Sequence, residues 1–495
     1  MNDQQDSPAA PAMRAALFAL ALLTAGCRVG PDYVRPDPAG SAGLAWRDTG
    51  ARGLDAAKGP ETADLARWWT RLGSDELDAL ALRLVRQNLP LEQARQRVLA
   101  AQAQRAIVGS ERAPQLNAEA AAMRAGTGDE SLNFAGPPQG KTVDVYAIGG
   151  SGGWELDLWG RVGRLQEAAD ASVEARVEDV RAATVAMLAR LALAYVDATA
   201  QRARLDALAR SVALEDQAVE LARTLVDAGT APRFDLDRAE LEAARARSRL
   251  PDAERALRAA ENRIAVLVGE LPSDELVAAT DALVLPPIPA RGVPADLLVR
   301  RADVRAAERR LAAAVAEIGA AEGERYPRLS IGGTVALRAT EPGTLTDADA
   351  LSWSFGPELV LPILDGGRRE ARVALREVGA EEARLAFEHA MLEAAEEVEN
   401  AGEACARARQ TLDRLDTAAQ AARAAVAHAE ELRASGMQGL APVLAARRAE
   451  VALEVERIQA RATALAATID LYRALGGGWE ALEDQVAGAA GREPR

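Results

Sequence analysis

PELVLPILDGGRREARVALREVGAEEARLAFEHA, running from Pro357 to Ala390, decides the fold. It opens with alternation that reads as a strand, placing Leu359, Leu361 and Ile363 on one side. Asp365-Gly366-Gly367 interrupts it, and a long, charged, Ala-rich helix follows. The same order occurs earlier in GWELDLWGRVGRLQEAADASVEARVEDV, Gly153 to Val180. There Trp154, Leu156 and Leu158 alternate with Glu155 and Asp157, and the break falls at Gly160. A strand that passes directly into a helix of many turns, twice in one chain, predicts a duplicated unit.

Spacing supports the duplication. Pro327 follows Pro114 by 213 residues, and beyond the junction the offset is 207: Gly160 to Gly367, Arg161 to Arg368, Gly229 to Gly436, Gly269 to Gly476. The change of offset falls in the strand-loop-strand part, where insertion is tolerated. Each repeat reads helix, strand, loop, strand, long helix, turn, returning helix. In the first, a helix from Leu89 ends before Pro114, and Leu116, Ala118, Ala120 and Ala122 alternate with polar residues. The next strand spans Thr142 to Trp159, with Gly149-Gly150 and Gly152-Gly153 available for a bulge. The long helix runs from about Val162 to Ala228. Val173, Val180, Met187 and Ala194, with Val177, Thr184, Leu191 and Ala198, form a heptad seam of small residues. At 1.5 Å per residue such a helix is about 100 Å long. The returning helix runs from Phe234 to about Val268, kinked at Pro251.

Composition fits this reading. The chain has 495 residues, only 3% aromatic, with a net charge of -15. Ala, Arg, Glu and Leu at helical spacing favour long helices, and the acidic balance argues against a nucleic-acid surface. Two cysteines are present. Cys405 sits mid-helix as a small packing residue. Cys27 ends MRAALFALALLTAGC, a basic start and an apolar run too short to span a membrane, the pattern of a secretory signal. Met13 is an alternative start. The Ala25-Gly26-Cys27 ending resembles a bacterial lipobox, which implies cleavage before Cys27 and acylation there; Arg28 after it implies sorting to the outer membrane. The expected division is a signal peptide at 1–26, an extended lipid-anchored tether at 27–60, a first repeat at 61–270, a Pro-rich linker at 271–294, a second repeat at 295–478 and a tail at 479–495.

Four half-apolar strands per chain cannot close a barrel, and open edges in lipid leave backbone groups unsatisfied. Tyr146, Trp154, Trp159, Trp353 and Phe355 lie near strand ends, as in an aromatic girdle. Three chains supply twelve strands, an even-numbered barrel. The expected fold is therefore mainly α with a membrane β-barrel portion: a trimeric 12-stranded barrel continued by an α-helical barrel.

Four stretches resemble the TolC-like outer-membrane efflux proteins, in their lipoprotein (NodT-type) branch. They are CRVGPDYVRP, WWTRLGSDELDAL, VPADLLVRRADVRAAERRLAAAVAEIGAA and ELVLPILDGGR. Ala302 stands where that family usually has Pro. The resemblance implies a homotrimeric tunnel in the outer membrane, working with a periplasmic adaptor and an inner-membrane pump of the RND type. It implies a passive duct without cofactor, nucleic acid or enzymatic activity. It also implies a gate at the helical tips, with Asp235 and Asp237 beside the turn at Gly229, and Arg433 and Gln438 beside the turn at Gly436. Pro442 and Ala445 replace the aspartates that often form a second acidic ring. Asp235 also suits a helix N-terminus, and Arg433 a helix C-terminus, on dipole grounds alone. Gly160, Arg161, Gly366, Gly367 and Arg368 would mark the seam between barrel and tunnel, with Arg161 and Arg368 facing headgroups or water. His389 and His428 are isolated, and Glu396, Glu397 and Glu399 read as a solvated helix face. The alternative function is a lipid-anchored periplasmic coiled-coil adaptor, which has long hairpins but no need of paired strands.

Overall fold

The computed structural model describes residues 28–35, 65–126, 142–273, 283–289 and 300–480. In order, the chain forms α1 (Asp75–Gln87), α2 (Leu89–Ser110), β1 (Gln115–Gly126), β2 (Thr142–Leu156), α3 (Arg161–Asp227), α4 (Arg233–Ser248), α5 (Leu250–Leu267), α6 (Ala302–Gly323), β3 (Arg328–Ala339), β4 (Leu351–Val360), α7 (Arg368–Ala434) and α8 (Leu440–Ala474). The duplication is visible in element lengths. α2 and α6 each have 22 residues, β1 and β3 each have 12, and α3 and α7 each have 67. The returning helices differ. Pro251 lacks an N–H, so the first is broken at Arg249 into α4 and α5, whereas α8 is continuous.

Among the described residues two compact units form, each drawing on both repeats: those within 28–35, 99–175 and 307–387 in one, and the other described residues in the second. The first holds the sheet, antiparallel in the order β1-β2-β3-β4. Its register places Leu116, Ala118, Ala120 and Ala122 on the same face as Tyr146, Ile148, Trp154 and Leu156. Leu329, Ile331, Val335 and Leu337 continue that face, as do Leu351, Trp353, Phe355, Pro357 and Leu359. Only apolar, aromatic and glycine residues occupy it until Arg124 pairs with Asp144 at one end, 3.4 Å apart. The opposite face carries Gln115, Asn117, Glu119, Ser151, Glu155, Ser330, Thr334, Ser354 and Glu358. On it Ser151 donates to Glu119 at 2.8 Å, and Thr334 and Ser354 lie 2.9 Å apart. β1 and β4 are unpaired on their outer edges.

Two sequence expectations need correction here. β2 ends at Leu156 rather than Trp159, and β4 ends at Val360, so Leu361 and Ile363 lie outside the ladder. The partner strand accounts for the second: β3 begins at Arg328, opposite Val360, and Pro362 has no N–H to donate. The glycines of β2 make no bulge, for the register from Gly126↔Thr142 to Gln115↔Gly153 is unbroken. Gly149 serves close approach instead. A Cβ there would lie 2.3 Å from the Val335 carbonyl oxygen and 2.6 Å from the Ala336 Cα.

The second unit has the larger apolar core, in which Trp68 stacks on Tyr472 with centroids 5.5 Å apart. Ser74 caps α1 by accepting from the Leu77 N–H at 3.1 Å, and its Oγ lies 3.0 Å from the Tyr195 hydroxyl. The predicted seam is buried at Val180, Thr184, Met187, Leu191, Ala194 and Ala198. Cys405 is free and fully buried. Glu397 departs from a simple solvated face. It accepts from the buried Arg301 at 2.9 Å, and Arg301 also donates to the Ala474 carbonyl at 3.0 Å, tying α7 to the end of α8.

Gly149→Val should force β2 and β3 apart, whereas Gly153→Ala, whose Cβ would meet nothing within 4 Å, should be tolerated. Heat-modifiable electrophoretic migration of the two variants reads the difference; equal behaviour would show that close approach at Gly149 is unimportant.

Candidate functional site: the strand-to-helix junctions and the helical tips

The two junctions share a sequence pattern but not a structure. At the first, the Asp157 carboxylate accepts from the N–H groups of Val162 and Gly163, at 3.1 and 2.7 Å. This caps α3 and favours its N-terminal dipole. Gly160 takes φ 75°, a left-handed conformation that glycine supplies cheaply. Trp159 stacks on Tyr326 at 4.8 Å, and its Nε1 donates to the Pro327 carbonyl at 2.7 Å. Arg161 does not face headgroups or water as expected. Its guanidinium donates to Glu155 at 2.9 and 3.0 Å and to Glu111 at 3.3 Å, because both carboxylates end elements that meet there. At the second junction, Gly366 and Gly367 take φ 66° and 80°, and a Cβ on either would meet nothing within 4 Å. Asp365 pairs with Arg369 at 2.8 Å, and Arg368 is exposed. Ile363 and Leu364 are 89% and 93% exposed, and no aromatic clasp covers them.

Residues 28–35 contribute a feature that sequence reasoning missed. They are extended, as expected of a tether, but they are docked. The Val29 N–H donates to the Trp159 carbonyl at 3.1 Å. Gly30 approaches α6 so closely that a Cβ would lie 2.3 Å from the Gly319 Cα. Arg164, 1% exposed, donates to the Val29 and Gly30 carbonyls and, at 2.7 Å, to Asp32. The Tyr33 hydroxyl donates to Glu308 at 2.5 Å, and its ring sits against Ala171, Ala312 and Ala313. Burial pushes the Glu308 carboxyl up, but hydrogen bonds from Arg309 and Tyr33 outweigh it and hold the group below its usual range. Only the mid-helix arginine and the paired small residues hinted at this strap. Arg28 lies against Gly160, which puts the strap's start at the first junction. Cys27 itself lies outside the described residues.

The tips turn at Gly229 and Gly436, with φ of 70° and 74°. Asp235 lies in the first turn of α4 and is exposed; Asp237 pairs with Arg233 at 3.3 Å. Arg433, in the last turn of α7, and Gln438 are exposed. Among the described residues, no ion pair or hydrogen bond joins Asp235 to Arg433 or Gln438 within one chain. His389 and His428 lie beside Glu393 and Glu431 on exposed helix faces. No group of three or more His, Cys, Asp and Glu residues is arranged for a metal among the described residues.

Residues 81–270 and 293–477 match the family described as outer membrane efflux protein. Outer membrane protein OprJ of Pseudomonas aeruginosa is 32% identical over 97% of this chain and 99% of its own length. Nodulation protein T of Rhizobium leguminosarum bv. viciae is 29% identical over 78% of this chain and 77% of its own. Among solved structures, the outer-membrane channel OprN superposes with a TM-score of 0.80 at 29% identity, covering 92% of this chain and 100% of that one.

Arg164→Ala should release the strap and speed tryptic cleavage after Arg28, whose following N–H is held by the Trp159 carbonyl in the parent protein. The Glu308 contribution has a pH window. A carboxyl whose folded value is depressed stabilises above its unfolded value, about pH 4.3, and the benefit is lost as pH falls below it. Strap protection, read by amide hydrogen exchange, should therefore hold from neutrality to about pH 5 and decline below about pH 4.

Proposed function

This chain belongs to the outer membrane efflux protein family, and from that premise we propose how its residues serve as a duct. The protein is an outer-membrane efflux channel that reaches into the periplasm. It is the trimeric exit component of a tripartite system whose periplasmic adaptor and inner-membrane pump deliver the cargo. Its relative OprN is a channel rather than an enzyme, and the adaptor alternative has no support in these likenesses. One observation carries the assignment physically: a sheet with one face apolar up to the Arg124–Asp144 pair at its end, one polar face and two edges unpaired among the described residues. The apolar face turns to lipid, the polar face to the lumen, and each edge pairs with another copy.

The helices repeat the argument. Within one chain α6 covers α3, with Ala312 and Ala313 on Ala171. The residues of α7 equivalent to Ala168 and Ala171, at the 207-residue offset, are Leu375 and Val378, each 67% exposed. The matching surface for them is α2 of the next copy, whose Leu99 and Ile107 are exposed. Three copies then alternate intrachain and interchain contacts of the same kind around a ring.

The finer points are also proposals. Cys27 carries the lipid, and the supporting geometry is the strap: it starts beside Gly160, where the apolar face ends, so acyl chains there enter the near leaflet. An intact mass lacking acyl chains on Cys27 would refute it. The cognate pump is of the RND type, a reading that rests on the family resemblance. The organisation remains a signal at 1–26, a tether at 27–60, repeats at 61–270 and 295–478, a linker at 271–294 and a tail at 479–495. Gly160, Arg161, Gly366, Gly367 and Arg368 mark the barrel–tunnel seam. Asp235, Asp237, Arg433 and Gln438 act between copies at the periplasmic tips, which fits the absence, among the described residues, of an ion pair or hydrogen bond joining Asp235 to Arg433 or Gln438.

The purified protein should migrate as a heat-sensitive trimer and conduct ions in planar bilayers. Val378→Glu would bury a carboxylate at each of three interfaces, at a cost on the order of 2 kcal/mol apiece, and should yield monomer. A wild-type protein that is a soluble monomer once the anchor is removed would overturn the duct reading. In the same bilayers Asp235→Ala should raise single-channel conductance; an unchanged value would remove Asp235 from the gate.

A further inference from the structure

A cleft of about 280 Å³ lies at the strand-to-helix junctions of the sheet-bearing unit. Glu155, Arg328 and Val360, on the polar face of the sheet, line it, together with Trp159, Tyr326 and Arg372. It therefore opens on the face that turns to the lumen, at the neck of the duct. Its volume sits at the lower edge of small-molecule pockets, roughly 300–1,000 Å³, which suits one or two fused rings.

The chemistry of the walls is selective. The stacked pair of Trp159 and Tyr326 offers aromatic surface, with Tyr326 42% exposed and Trp159 fixed by its bond to Pro327. Every carboxylate in the lining already has a donor. Glu155 is held by Arg161, Asp157 caps α3, and Glu324 accepts from Arg372. Arg369 is likewise paired, with Asp365. Among the described residues, Arg328 is the one lining charge to which no ion pair or hydrogen bond is assigned. A ligand that satisfies this cleft has a planar apolar body for the aromatic pair and an anionic group for Arg328. A cation would find every carboxylate occupied.

We propose that the neck cleft is a transit site for planar apolar anions, such as aromatic carboxylates or sulfonates. The site rests on the duct reading, since it is useful only to cargo passing the lumen. Transit requires weak binding, because a site that holds its cargo blocks the pore. A dissociation constant near 1 mM is therefore expected, on the order of the weakest specific associations.

The test uses the full trimer in detergent, equilibrated by dialysis with radiolabelled 1-naphthalenesulfonate. 1-Naphthalenemethanol and 1-naphthylmethylammonium serve as neutral and cationic counterparts. Saturable uptake of the sulfonate is expected, with neither counterpart saturating. Arg328→Gln should weaken sulfonate binding roughly tenfold, as loss of a charge-assisted hydrogen bond does. Tyr326→Leu, at an exposed position that leaves Trp159 anchored, should weaken it as well. Equal uptake of all three probes, or unchanged binding in Arg328→Gln, would overturn the proposal. Bilayer conductance of the same preparations separates the two readings. A conducting trimer without sulfonate selectivity removes the site and keeps the duct; a trimer that binds but does not conduct removes the duct.

Discussion

The structure depends on the hydrogen bonds that β1 and β4 cannot make within one chain. In water an open sheet edge is tolerable, but in hydrocarbon each unsatisfied backbone group costs several kcal/mol. The apolar face leaves no doubt about the solvent. Ten residues of strand at about 3.3 Å, tilted by about 45°, cover roughly 23 Å, close to the apolar band of an outer-membrane barrel. The Arg124–Asp144 pair closes that band at the loop end. Insertion and assembly are therefore one event: a single chain that is stable in lipid would have to hide two edges it has no means to hide.

Duplication solves the assembly problem economically. Because α2 and β1 are repeated in α6 and β3 at equal length, the surfaces that meet inside one chain are offered a second time to a neighbouring copy. The two kinds of contact are not identical. Trp159, which clasps the intrachain junction, is replaced at the 207-residue offset by Gly366, and the buried Arg164 by Ala371. The intrachain junction is thus built to be permanent and carries the strap. The second junction has two left-handed glycines and exposed Ile363 and Leu364, surfaces left open within the chain.

Much of this was legible in the sequence because it is periodic. Alternation in Leu329 to Leu337, the heptads from Val180 to Ala198 and the constant offset between Gly160 and Gly367 each express a repeating geometry. The missed features are aperiodic. Val29, Gly30 and Tyr33 gain meaning only from Arg164, Gly319 and Glu308, which lie more than a hundred residues away in the chain. Arg161 was misplaced for the same reason: its partners Glu155 and Glu111 converge only once three elements have packed. Strand ends were overrun because a strand stops where its neighbour stops, as Val360 does opposite Arg328, whatever the local alternation permits.

A passive duct must also avoid binding what it carries. The polar face meets this largely with Ser, Thr, Gly and Ala, and its charges are few and partly paired. The tips carry Asp235 and Arg433 in the open, where solvent screens them. The neck differs, since three elements converge there and enclose aromatic surface beside Arg328. A barrel lined largely by small residues can therefore still discriminate at one level. Selection by the pump and weak preference at the neck then act in series, the second setting how long a planar anion stays rather than whether it enters.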